Sequence, residues 1–116
     1  MATKRINDVA HEELRVEQID AIASLFTVLS DPTRLRILQV LRKGQATVSE
    51  VVAALDMKQP NVSKHLNLMH QMGLLGRQRD GLLVRYMIRQ PVVFALCSTV
   101  CDHLRESARE QVKLFV

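Results

Sequence analysis

Two cysteines near the end of the chain are the residues best suited to bind a soft metal ion or to change redox state. Cys97 and Cys101 are four positions apart, so on a helix both thiols would point the same way. Thiolates favour soft ions such as As(III), Cu(I), Cd(II) or Zn(II), and paired thiols can also be oxidised. Cysteine is also a commonly buried residue type. The pair therefore predicts a thiophilic metal or metalloid site, a redox site, or no cofactor and simple packing.

A second chemically distinctive segment, residues 58–89, carries most of the positive charge. It has a balance of +5, against +4 for the whole chain, and such a surplus is expected where a polyanion docks. On a helical wheel its first part has a core face of Val62, Leu66 and Met69. The opposite face has no acid, and its hydroxyl, amide and ammonium groups can contact base edges and phosphates. That face consists of Pro60, Ser63, Lys64, Asn67 and Gln71.

The polar-faced helix is expected to be the second helix of a helix-turn-helix over residues 47–72. The sequence Thr47-Val48-Ser49-Glu50 fits a capping box at the start of a short first helix, and Gly73 ends the second. Upstream, Ser30-Asp31-Pro32-Thr33 predicts another helix start. Two short helices with a tight connection and a polar outer face on the second are typical of DNA-binding proteins.

A β-hairpin is predicted over residues 75–89. Asp80-Gly81 lies between two extended runs and favours a type I′ turn centred on these two residues. Three arginines flank this tip and would suit a hairpin laid along a phosphate backbone: Arg77, Arg79 and Arg85. A solvent-facing edge hairpin with arginines for solubility is the alternative.

Two long helices are predicted at the ends of the chain, over 12–29 and 91–110, within one domain spanning 1–116. A chain of 116 residues has little core to cover both of them, so a partner subunit is expected. The sequence predicts a homodimer whose interface includes Ile19, Ile22, Phe26, Val93, Val100 and Leu104.

Several classes of protein are disfavoured by composition. We find no membrane-length apolar run and no secretory signal, and two cysteines without such a signal favour the reducing cytoplasm. No arrangement of residues suggests catalysis, so the sequence predicts a non-enzyme.

His65 lies at the edge of the buried arc of the polar-faced helix. At that position a structural hydrogen bond is expected in preference to a contact with a base.

The sequence from Leu29 to Val92 resembles the ArsR/SmtB-type winged-helix repressors. LSDPTRLRIL is similar to the family's second-helix entry, NVSKHLNLMHQMGLL to its recognition helix, and RQRDGLLVRYMI to its wing. The resemblance implies a mainly α fold with a small β-hairpin wing, a homodimer formed by the first and last helices, and repression at an inverted-repeat operator in double-stranded DNA. Carried over by position, the groove-facing residues are Gln59, Pro60, Ser63 and Lys64, with Asn67 added from the wheel and the three arginines as wing contacts.

The sequence departs from the family's usual effector sites. The Cys-x-Cys motif of many family metal sensors has no counterpart in TVSEVV, and the usual Asp-x-His half of the site on the last helix is missing. Cys97 and Cys101 therefore remain the candidates for sensing. Two alternatives stay open: a repressor without a ligand, in which the cysteines only pack, and a winged helix that binds a protein.

Overall fold

A computed structural model describes residues 13–114, and within them the chain forms five helices and three strands. In chain order they are α1 (Val16–Leu29), α2 (Pro32–Arg42), β1 (Ala46–Thr47), α3 (Val48–Leu55), α4 (Gln59–Gln71), β2 (Leu75–Asp80), β3 (Leu83–Ile88) and α5 (Val92–Leu114). The strands form an antiparallel sheet in the order β1-β3-β2. The predicted mainly α fold with a hairpin wing is confirmed. The predicted start of the first helix at residue 12 lies outside the described residues.

The core is built by α2, α3, α4 and the sheet. Ile37, Val51 and Leu75 are 0% exposed, and so are all three residues of the α4 core face predicted from the wheel. A helix that buries residues at positions i, i+4 and i+7 presents the opposite face to solvent. The core therefore fixes which side of α4 faces outward.

Capping side chains define where the helices begin. The Asp31 carboxylate accepts a hydrogen bond from the backbone N–H of Arg34 at 3.1 Å and caps α2. The predicted capping box of α3 is present: the Thr47 hydroxyl accepts from the Glu50 N–H, and the Glu50 carboxylate accepts from the Thr47 N–H, both at 3.2 Å. These contacts satisfy N–H groups that the first turn of a helix leaves without partners.

The connection between α3 and α4 is tight because one residue adopts a left-handed conformation. Asp56, at φ 52°, ends α3 and returns its N–H to the carbonyl of Val52. Two residues later Lys58 is already the N-cap of α4. A non-glycine residue at positive φ is uncommon, and aspartate is among those that tolerate it best. The short linker fixes the angle at which α4 leaves α3.

The hairpin turn lies one residue later than the sequence predicts. Asp80 pairs with Leu83, so the two turn residues are Gly81 and Leu82, not Asp80 and Gly81. Gly81 has φ 63°, and it alone of these residues has a positive φ. A glycine at the first central position with an ordinary residue after it fits type II′, not the predicted type I′.

The helix α1 is fastened to α2 by one arginine. Arg34 donates from Nε to the carbonyl of Val28 at 2.6 Å and from Nη2 to the carbonyl of Thr27 at 3.1 Å. Carbonyls at the end of a helix carry a partial negative charge, so the guanidinium stabilises this end of α1. The Thr27 carbonyl also accepts from the Ser30 hydroxyl at 2.6 Å and the Ser30 N–H at 3.2 Å.

Only the first part of α5 is anchored to the core. Val93 is 1% exposed, and the Arg42 guanidinium lies 5.2 Å from the centre of the Phe94 ring. Beyond this first turn most of α5 is exposed. Val93 therefore belongs to the core of the single chain, whereas the other five residues predicted for the dimer interface are exposed.

We predict that Asp31→Asn removes a pH-dependent part of the stability. The hydrogen bond from the Arg34 backbone N–H, aided by the Thr33 N–H and the charges of Arg34 and His65, holds the pKa of Asp31 below its ordinary value of 3.8. A carboxyl with a lowered pKa stabilises the fold above its unfolded pKa and loses this effect as the pH falls through the folded pKa. Asparagine still caps the helix but does not titrate.

The measurement is urea unfolding of both proteins by circular dichroism at matched concentration, from pH 7 down to pH 3. The wild-type advantage in unfolding free energy should shrink as the pH falls below about 3.8. A difference that stays constant over this range would contradict the role assigned to the Asp31 charge.

Candidate nucleic-acid interface

The outward face of α4 presents a compact set of polar side chains. The five α4 positions predicted to face a groove are all exposed: Gln59, Pro60, Ser63, Lys64 and Asn67. The helix begins with proline in its first turn, has no acidic residue there, and receives no side-chain hydrogen bond at its N-cap, Lys58. Because helix N-termini attract anions, this end of α4 is suited to a phosphate.

The wing arginines do not form one cluster. Arg77 pairs with Tyr86 and Arg79 with Val84 across the hairpin, and these four residues line one side of it. Arg85 pairs with Gln78 and therefore lies on the opposite side. Its Nη1 contacts the Asp80 carboxylate at 3.2 Å. The predicted set of three wing contacts is thus divided into two arginines on one face and a salt-bridged arginine on the other.

His65 lies on the inner edge of α4 and does not make the hydrogen bond expected from the sequence. Its Nδ1 is buried and has no hydrogen-bond partner among the described residues. The histidine is half-buried, between the exposed Lys64 and the buried Leu66, and so lies at the border between the two faces of α4.

The two cysteines lie on α5, away from α4 and the wing. Cys97 is half-buried and Cys101 is exposed, and the Arg105 Nη2 donates to the Cys101 sulfur at 3.6 Å. Both thiols line an open groove of about 800 Å³ between α5 and the end of α1. Within residues 13–114 we find no group of three or more His, Cys, Asp or Glu side chains placed to hold a metal ion. One chain therefore offers a soft ion two thiols.

Comparison with known proteins identifies the family. A model described as bacterial regulatory protein, arsR family, matches residues 31–76. The chain is 36% identical over 85 residues to the probable mercury resistance operon repressor of Streptomyces lividans, a match covering 73% of this chain and 68% of that protein. The chain belongs to the ArsR family.

Solved structures agree with this assignment. An antimony-specific transcriptional repressor, AntR, superposes with a TM-score of 0.77 at 25% identity, covering 94% of this chain and 99% of that one. A homodimeric winged helix-turn-helix DNA-binding domain from Mycobacterium bovis superposes with a TM-score of 0.69 at 27% identity, covering 91% and 95%.

Family membership fixes the general class of activity of this ArsR-family chain. It is a winged helix-turn-helix transcription regulator, a class that binds double-stranded DNA and is not enzymatic, as the sequence predicts. None of the helices described between residues 13 and 114 has the length and hydropathy needed to cross a membrane.

We predict that the two faces of the wing differ in their electrostatic contribution to DNA binding. Arg79 has no salt-bridge partner within residues 13–114, whereas Arg85 is already paired with Asp80. Each phosphate contact releases counterions and adds about 0.9 to the slope of log affinity against log salt. Arg79→Ala should lower that slope by about one unit per subunit.

The control is the charge-neutral double variant Asp80→Ala/Arg85→Ala, which should leave the slope close to that of the wild type. The slopes are measured by fluorescence anisotropy on one duplex over a series of salt concentrations. Equal slopes for Arg79→Ala and wild type, or a large loss in the double variant, would contradict the division of the wing.

Proposed function

We propose that the chain is a cytoplasmic, homodimeric repressor that binds an inverted-repeat operator and is released by an effector sensed at α5. The observation that supports operator binding is the outward face of α4. This face is polar and has no acidic residue, and three buried residues on the other side of the helix fix its direction. In this proposal α4 enters the major groove. Its base or phosphate contacts are made by Gln59, Pro60, Ser63, Lys64 and Asn67. Arg77 and Arg79 contact the backbone or the minor groove, whereas Arg85, which the sequence grouped with them, stays paired with Asp80.

The homodimer is supported by apolar surface that the single chain leaves uncovered. Of the 14 residues of α1, only Val28 is buried, while Ile19, Ile22 and Phe26 are 50%, 42% and 54% exposed. On α5, Val100 and Leu104 are 54% and 61% exposed. Phe26, Val100 and Leu104 line one groove, and contiguous exposed apolar surface marks an interaction site.

The dimensions of the chain point the same way. Its radius of gyration is 17.7 Å, against about 13 Å for a compact chain of this length. The end helices thus extend from the core instead of packing around it. A second copy is the occupant that fits this surface, since the similar structure from Mycobacterium bovis is described as homodimeric. A two-fold dimer also doubles the DNA contacts and matches an inverted repeat.

The proposed effector is a thiophilic metal or metalloid ion, or an oxidant, acting on Cys97 and Cys101. Two observations support this class. The thiols lie on the surface assigned to the dimer, where a bound ion would change how two copies pack. Similar proteins are named for mercury, arsenical and antimony response. Two alternatives remain, namely a repressor whose cysteines only pack and a winged helix that binds a protein partner.

The main test is an operator-binding titration by fluorescence anisotropy. The probe is a duplex selected by the protein from a random-sequence library, and reduced wild type is titrated alone and with As(III), Cd(II), Zn(II), Cu(I) or a mild oxidant. We expect tight binding that one thiophilic agent abolishes in the wild type but not in the Cys97→Ser/Cys101→Ser variant. Binding that no agent changes would assign the cysteines to packing. Failure to select any duplex would contradict DNA binding itself.

A second test addresses the dimer. Phe26→Glu places a charge on the exposed face of α1, where burial against a partner would be costly, so this variant should be monomeric by sedimentation equilibrium and should bind the selected duplex much more weakly. Met72→Glu is the matched control, because Met72 is 44% exposed but lies outside the groove between α1 and α5. A dimeric Phe26→Glu, or a monomeric Met72→Glu, would place the interface elsewhere.

A further inference from the structure

The tip of the wing carries a large apolar side chain that the fold does not require. Leu82 is 103% exposed, so it contributes no burial to the core. The turn does not require leucine either, because the positive φ is supplied by Gly81. The second central position of a type II′ turn accepts many residue types, so the turn permits leucine there without calling for it. Neither packing nor turn chemistry therefore explains Leu82.

The charges behind the tip indicate which surface this leucine would meet. Arg77 and Arg79 lie on one face of the hairpin, and Arg85, paired with Asp80, lies on the other, so Leu82 is the uncharged end of a projection with a net positive charge. A basic hairpin is attracted to the phosphate backbone. Proteins that bind the minor groove commonly insert an apolar wedge, leucine among them, between base pairs.

The reach of the hairpin fits the spacing of the grooves. Each strand of the wing has six residues and extends about 20 Å, of which the part beyond the buried Leu75 and Tyr86 projects from the core. A major groove is separated from the next minor groove by about half a helical turn of DNA, roughly 17 Å. With α4 in the major groove, a hairpin that leaves the end of α4 after three residues can bring its tip to the neighbouring minor groove.

We propose that Leu82 inserts into the minor groove beside each half-site and partly unstacks one base step. The inference rests on the proposed operator binding and adds to it a contact that determines specificity without hydrogen bonds. Removing the leucine from water offsets part of the cost of unstacking. That cost is lowest at the flexible pyrimidine–purine steps TA and CA/TG. The wing therefore selects such a step at a fixed distance from the bases read by α4.

The experiment compares wild type with Leu82→Ala, Leu82→Ser and Leu82→Met on the duplex selected by the wild type. Affinity and its salt dependence are measured by anisotropy. Unstacking is measured with a fluorescent adenine analogue placed at successive steps flanking the half-site, since its emission rises when it leaves the stack. Because Leu82 is fully exposed, these substitutions leave the core intact, which circular dichroism checks.

We expect Leu82→Ala and Leu82→Ser to bind about tenfold more weakly, with an unchanged salt slope and no rise in emission. Leu82→Met, which keeps an apolar wedge, should retain both affinity and emission. Selection repeated with Leu82→Ala should lose the preference for a pyrimidine–purine step while keeping the half-site sequence.

The inference is overturned if Leu82→Ala binds within twofold of wild type, if Leu82→Met loses as much affinity as Leu82→Ser, or if no step shows unstacking with wild type. Its failure differs from failure of the proposed function. If only the Leu82 inference fails, wild type still selects and binds a duplex. If the proposed DNA-binding function fails, wild type selects no duplex and both proposals are rejected.

Discussion

The burial of one side of α4 is the constraint on which the rest of the structure depends. Val62, Leu66 and Met69 are 0% exposed, and each fully buried side chain of this kind stabilises the fold by about 1.5–3 kcal/mol. Turning the helix about its axis would bring these groups into water and polar groups into the core. The direction of the outward face is therefore a consequence of core packing. The left-handed Asp56 sets the orientation of α3 relative to α4, and the three-residue connection to β2 does the same for the wing.

The sequence predicts the features that depend on a regular period or on residue types at a fixed spacing. The buried and polar faces of α4 follow from the helical period, and the capping box of α3 from residue types at a fixed spacing. The turn was misplaced by one residue because Asp80-Gly81 and Gly81-Leu82 both put glycine at a central position. The two-residue strand β1 was missed because it is too short for a pattern and because Thr47 also carries the cap signal of α3.

Two other differences arise from tertiary context. Val93 shares a helical face with Val100 and Leu104, but only the first turn of α5 lies on the core, and a helical wheel does not show where along its length a helix leaves the core. The wing arginines are equally charged in the sequence, yet strand pairing places Arg85 beside Asp80 and away from Arg77 and Arg79. The family resemblance indicates which positions of the wing carry arginine. The strand register determines which of these arginines have no acidic partner and can contact DNA.

The distribution of burial determines which parts of such a chain can accept substitutions during evolution. Of the apolar residues on α1 and the outer part of α5, few support the core of the single chain, so substitutions there cost the monomer little folding free energy. The three buried residues of α4 and the capped starts of α2 and α3 allow no such freedom. Residues of the end helices that do not make dimer contacts can therefore change, and acquire new ligand-binding groups, while the DNA-reading module stays folded and without a compensating mutation in the core.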